Sequence, residues 1–128
     1  MQAFSPEWAN AFHSAINENE AYAKSGAKWN LGQLALVLDD KAIVLDLYEG
    51  QCRSVAHVSA TEAVPLANFI IEGNEAVWQN VLSGKLAPLM GIMSGKLKLS
   101  KGSIGKLLPF TKAAIDLVNS AQTLETEF

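Results

Sequence analysis

The 128-residue sequence predicts an α+β fold of five strands with helices before, between and after them. Two observations carry this reading. Between Leu31 and Tyr48 apolar residues recur at every second position, the period of a half-buried strand. On either side of that stretch they recur at three-to-four spacing, the period of one helix face, and glycines punctuate the junctions.

The first helix opens at Ser5-Pro6-Glu7. Serine caps free amides, proline is tolerated at the first helical position, and glutamate favours the positive end of the dipole. Trp8, Ala11, Phe12, Ala15 and Ile16 form its apolar face, with His13 off it. Asn17–Lys24 is more polar but helix-compatible, and Ser25-Gly26 closes the segment, as one helix or two short ones. Leu34, Leu36 and Leu38 then alternate with Gln33, Ala35 and Val37; Asp39-Asp40-Lys41 turns the chain; Ile43, Leu45 and Leu47 alternate with Val44, Asp46 and Tyr48. The pattern predicts a β-hairpin. After a turn at Glu49-Gly50-Gln51, Arg53–Ser59 reads as a third strand, Thr61–Pro65 as a connection, and Leu66–Glu72 as a fourth strand.

Asn74 is placed to cap a helix whose stripe is Val77, Trp78, Val81 and Leu82, ended by Gly84. Ala87-Pro88 opens a shorter helix with Leu89, Met90, Ile92 and Met93 on its face, closed by Gly95. Lys96–Ser100 alternates lysine with leucine, an edge-strand pattern that points Leu97 and Leu99 inward. Ser103–Gln122 is helical in period, with a kink or restart required at Pro109. Without an internal repeat, low-complexity tract or linker, residues 1–128 are expected to form one domain.

Composition excludes several functions. Net charge is −3 and the isoelectric point is about 5.3, whereas nucleic-acid binding needs a clustered excess of Lys and Arg. The single cysteine, Cys52, precludes an intramolecular disulfide framework and suits a reducing compartment. No secretory pattern opens the sequence, and the longest apolar runs, Leu34–Leu38 and Leu86–Met93, fall far short of the ~20 residues a bilayer requires. A cytoplasmic protein is the default expectation. A hydrophobic fraction of 49% against 18% charged residues leaves apolar side chains to spare for a lined pocket or an oligomer contact, with the oligomeric state left open.

Catalytic, cofactor and metal patterns are missing. Cys52 and His57 stand at odd spacing in a strand, which points them to opposite faces. His13 and His57 lack the companions a metal site needs, and Asp39-Asp40 is turn chemistry. Gly105-Lys106 would end a phosphate loop only with glycine at 100 and Ser or Thr at 107, where Ser100 and Leu107 stand. Two features remain. Trp78, Leu82, Leu86, Leu89, Met90, Met93, Leu107, Leu108 and Phe110 are an apolar load that reads either as ordinary core or as the lining of a ligand site. Lys85, Lys96, Lys98, Lys101, Lys106 and Lys112 occur with no Asp or Glu between Glu75 and Asp116, which reads as a solvated face or as an anion-seeking one.

Gly84-Lys85-Leu86-x-Pro88, Met93-x-Gly95-Lys96-Leu97-Lys98-Leu99, Gly102 and Lys106-Leu107-Leu108 resemble the C-terminal half of the sterol carrier protein type two domain. Leu45-Asp46-Leu47 with Gly50 resembles that family's second-strand signature, so the resemblance spans roughly residues 30 to 112. It implies a mostly antiparallel five-stranded sheet with helices packed on one face, enclosing a hydrophobic tunnel. The implied function is non-enzymatic binding of fatty acyl chains, acyl-CoA, phospholipid or sterol-like ligands, with transfer between membranes. The nine apolar residues named above would contact lipid, and Lys85, Lys96, Lys98, Lys101 and Lys106 would meet a head group or an anionic membrane. The C-terminus, Glu125-Thr126-Glu127-Phe128, lacks the peroxisomal tripeptide of eukaryotic members, which points to a bacterial-type member. The alternative is an accessory module that presents a hydrophobic intermediate to partner enzymes.

Overall fold

The computed structural model describes all of residues 1–128. Helices α1 (Pro6–Asn17) and α2 (Glu20–Ser25) precede strands β1 (Gln33–Leu38), β2 (Lys41–Tyr48) and β3 (Gln51–Ser59). Helix α3 (Ala60–Leu66), β4 (Phe69–Gly73), α4 (Glu75–Leu82), α5 (Pro88–Met93) and β5 (Lys98–Lys101) follow. The chain ends in α6 (Ile104–Leu107), a 3-10 turn at Leu108–Phe110, α7 (Thr111–Asn119) and a second 3-10 turn at Ser120–Thr123. Pro109 explains the break, because it donates no amide to the preceding turn.

The strands form one sheet in the order β3-β2-β1-β4-β5, antiparallel throughout except for the parallel pair β1 and β4. Register aligns Leu34 with Leu45 and Phe69, and Leu36 with Ile43 and Ile71, so the large side chains of three strands share one face. That face receives most of the helices. Trp8, Phe12 and Ile16 of α1 are buried there with Trp78 and Val81 of α4 and Leu117 of α7. Phe4, Trp8 and Phe12 stack in series at 5.2 and 4.9 Å, and burying side chains of this size contributes ~1.5–3 kcal/mol each.

The opposite face carries Ala35, Val37, Ala42, Val44 and Ile70, covered by Ala63 of α3 and by Ala67 just beyond its end. The segment expected to be a plain connection is thus a helix, the crossover that makes β4 parallel to β1. Its signal was present: Ser59 accepts from the Glu62 amide at 3.1 Å while Glu62 accepts from the Ser59 amide at 3.0 Å, a capping box. Pro65 sits in its last turn, where little remains to be disrupted.

Side chains stitch the elements together. The Ser5 and Asn74 caps form as the sequence requires, accepting from the Trp8 and Val77 amides. Asn17 pairs with both backbone groups of Cys52, accepting from its N–H at 2.8 Å and donating to its C=O at 2.9 Å, which closes the outer edge of β3 at that point. The Trp78 indole donates to the Val37 carbonyl at 2.9 Å, fixing α4 to the end of β1. The termini meet as well, with the Ala3 amide donating to Glu127 O and the Trp8 indole to Thr126 Oγ1.

Candidate functional site

Between the helix-covered face of the sheet and α7 lies an entirely apolar cavity. Its floor is Leu34, Leu47 and Ile71, which strand alternation turns to this face. Leu89 of α5, Leu107 of α6 and Phe110 of the 3-10 turn form one wall, and Tyr22 and Trp29 another. The roof is Ala113, Ala114 and Leu117, one side of α7, where two alanines leave space that larger side chains would fill. Atom-free space among these residues and at the mouth totals about 420 Å³. The enclosed cavity itself is small, about 40 Å³.

No polar atom lines the cavity surface. The Trp29 indole N–H is spent on the Gly32 carbonyl at 3.0 Å, and its ring meets Phe110 edge-on at 5.1 Å and Phe69 at 5.5 Å. The outer end of the Tyr22 ring lies against Gly26, where an added Cβ would stand 2.9 Å from it. The roof is held at its far end by Asp116, which accepts from Ser25 Oγ of α2 and from Lys112 Nζ, both at 2.7 Å. Partial burial pushes the Asp116 carboxyl up, but the bonds from Lys112 and Ser25 with the lysine charge outweigh it and hold the group below its usual range. Asn19 adds donations to Asp116 O and Ser120 Oγ.

Of the nine apolar residues singled out in the sequence, the fold brings Leu89, Leu107 and Phe110 into the lining. Trp78 is buried in the main core beside Phe4, their rings 5.4 Å apart. Leu82 is buried too, and borders a wider cleft of about 560 Å³ with Gln79, Ser83, Gln122 and Phe128. That cleft is half polar and open, so the apolar cavity is the better ligand candidate. Leu86 is half-buried beside Gly91. Met90, Met93 and Leu108 point outward, 58%, 66% and 48% exposed.

Lys85, Lys96, Lys98, Lys101 and Lys106 are all exposed but do not share one surface. Lys98 stands across from Glu72 in the β4–β5 pair, and Lys101 reaches the Val64 carbonyl of α3 on the other face of the sheet. Lys85 and Lys96 flank α5, and Lys106 lies on α6. No group of three His, Cys, Asp or Glu is placed to hold a metal ion. His57 is exposed, while Cys52 is buried and its thiol donates to Ser54 O at 3.3 Å.

Several lining residues lie outside the set singled out from the sequence. Leu34, Leu47 and Ile71 were legible as an inward face, and Ala113 with Leu117 as a helical repeat. Trp29 lies in the aperiodic stretch before β1 and gave no local signal.

The model of the SCP-2 sterol transfer family matches residues 10–114, reaching back into α1. A crystal structure of sterol carrier protein 2 superposes with a TM-score of 0.86 at 39% identity, covering 96% of this chain and 99% of that one. A conserved hypothetical protein from Thermus thermophilus gives 0.87 at 38% identity, over 99% and 92%. Sterol carrier protein 2 from Yarrowia lipolytica, in its apo form, shares the fold with a TM-score of 0.54 at 17% identity, over 91% and 90%. The ubiquinone synthesis protein UbiJ-SCP2 does so at 0.55 and 18%, over 85% of each chain. No curated protein matches the sequence.

Proposed function

The chain belongs to the SCP-2 sterol transfer family, and from that premise we propose that residues 1–128 act as one non-enzymatic carrier domain for lipids, holding a hydrocarbon chain under α7 and moving it between membranes. The observation that carries this reading is a lining without a polar atom. A fatty acyl chain, free or on CoA or phospholipid, meets such a surface well, with its polar group left at the mouth. A sterol-like ligand fits if its hydroxyl likewise stays outside, because a hydroxyl buried without a partner costs ~1–3 kcal/mol. Each methylene contributes ~0.8 kcal/mol, so a long chain of about sixteen carbons carries ~12 kcal/mol gross, against ~8 kcal/mol for micromolar affinity.

Entry requires movement, since the free space is smaller than such a chain; the alanine-lined roof and the Trp29–Phe110 contact are the parts that would give way. Lys85, Lys96 and Lys106 would receive a phosphate or carboxylate head group, and each lysine close to an anionic bilayer adds ~1 kcal/mol of attraction. The free thiol of Cys52 fits a cytoplasmic setting.

The test is native mass spectrometry of the purified protein together with displacement of a fluorescent fatty acid. Bound lipid or displacement by acyl ligands is expected, and Ala113→Phe, which fills the roof gap, should weaken binding about tenfold or more. Absence of both bound lipid and displacement would refute the reading. Cys52→Ala and His57→Ala should leave binding unchanged. A second reading, an accessory module presenting a hydrophobic intermediate to enzymes, draws on the small free volume. Co-purification of biosynthetic enzymes with a chain that takes up no acyl ligand would favour it.

A further inference from the structure

We propose that the outward side of α5 and the turn after α6 form the membrane-docking face of this carrier, with Met90, Met93 and Leu108 as inserting anchors and Lys85, Lys96 and Lys106 contacting anionic phospholipid. The proposal deepens the carrier reading and rests on it for why a bilayer is the partner. It begins from exposure. Met90 and Met93 are three residues apart on α5 and face solvent together, while Leu89 on the same helix faces the cavity. Leu107 and Leu108 divide in the same way, the first lining the cavity and the second half-exposed outside it. Both segments thus carry an inner residue in the cavity wall and an outer one that no element of the fold covers.

Other exposed apolar residues do not share this placement. Tyr48 lies under the Arg53 guanidinium, 4.6 Å from its ring centroid, and Val64 and Leu66 sit on α3, across the sheet. Methionine suits insertion among mobile chains, because its unbranched side chain adapts to irregular apolar surroundings. Charge identifies the kind of bilayer. Of the six lysines in the acid-free stretch between Glu75 and Asp116, Lys98 stands opposite Glu72, Lys101 lies across the sheet and Lys112 pairs with Asp116, which leaves Lys85, Lys96 and Lys106 for this side. Lys85 and Lys96 bracket α5, the Lys96 amide bonding to Gly91 O at 2.9 Å, and Lys106 precedes Leu108 by two residues. Apolar side chains with lysines around them match a surface of anionic head groups over a hydrocarbon interior. A chain leaving the cavity beside such a face would pass into the bilayer with little exposure to water.

The experiment is co-sedimentation with phosphatidylcholine vesicles, with and without phosphatidylglycerol, of the wild type and of a triple variant Met90→Gln, Met93→Gln and Leu108→Gln. All three positions are exposed, so the variant should keep its melting temperature and its fluorescent fatty-acid binding. Its partitioning onto phosphatidylglycerol vesicles should fall about tenfold or more. Val64→Gln with Leu66→Gln, on the α3 side, should leave partitioning unchanged. Equal partitioning of the triple variant and the wild type would overturn the proposal, as would a wild type that binds neutral vesicles as well as anionic ones. So would light scattering showing that the triple substitution merely dissociates a dimer, since the patch would then be a contact between copies. Loss of vesicle binding by the triple variant of a protein that takes up no fatty acid would uphold the docking face while removing the cavity reading.

Discussion

Cys52 is the single thiol of the chain, and its place in β3 withdraws it from chemistry. Burial pushes the thiol up from its ordinary value near 9 to about 12, with the Asp46 charge adding to the shift. Tyr22, buried nearby, is raised in the same direction and chiefly for the same reason. Both groups therefore fold in their neutral form. The Cys52 contribution is fully present below its unfolded value near 9 and is lost as pH rises through 12. Urea midpoints should accordingly hold level to mildly alkaline pH and fall steadily above it, with Cys52→Ala removing part of the slope. At neutral pH the thiol should resist a disulfide reagent until the protein is unfolded.

Among the elements, α7 is the one that roofs the cavity. Its cavity side is small and apolar, while its other attachments are polar: Asp116 to Ser25, with Asn19 bridging to Asp116 O and Ser120. Lys112, itself exposed, supplies the second bond to the Asp116 carboxylate. Asp116→Asn exchanges a charged acceptor for a neutral one and should cost about 2 kcal/mol in denaturant unfolding, with faster amide exchange in α7 than in the sheet. The Asp116 carboxyl is held below its usual range, so its stabilisation is present above the unfolded value and disappears as pH falls through the lowered folded one. Loosening of the roof is expected in acid before the sheet yields. The break at Leu108–Phe110 gives this movement a natural hinge, as the backbone ladder is already interrupted at Pro109.

For the whole molecule the decisive property is where the positive charge lies: on a chain of net charge −3, Lys85, Lys96 and Lys106 stand exposed around α5 and α6, while Lys98, Lys101 and Lys112 are directed elsewhere. Attraction of these three lysines to an anionic surface is weakened by salt, as the screening length shrinks from about 10 Å at 0.1 M to about 3 Å at 1 M. Association with phosphatidylglycerol vesicles should therefore fall steeply with added sodium chloride. Binding of an uncharged acyl probe in the cavity should not, because no charge lines it. Measuring both across one salt series separates docking from loading.

The sequence alone determined the hairpin, the order of the strands along the chain, the Ser5 and Asn74 caps and the break at Pro109, because each follows from periodicity or backbone chemistry within a few residues. It also carried the family, through the glycine–lysine–leucine motifs at Gly84–Leu86 and Gly95–Leu97. The capping box that starts α3 was equally local, although the segment was read as a connection. Tertiary structure decided which apolar residues meet in a cavity: Leu89 but not Met90, Leu107 but not Leu108, and Trp29 from a stretch without any period. It also sent Lys101 to the opposite face from the sheet's main core. Hydrophobicity fixes that a side chain leaves water or adheres to something apolar, whereas the rotation of a six-residue helix and the packing of distant segments fix what it touches. A short helix spans less than two turns and carries too weak a stripe to reveal its own orientation.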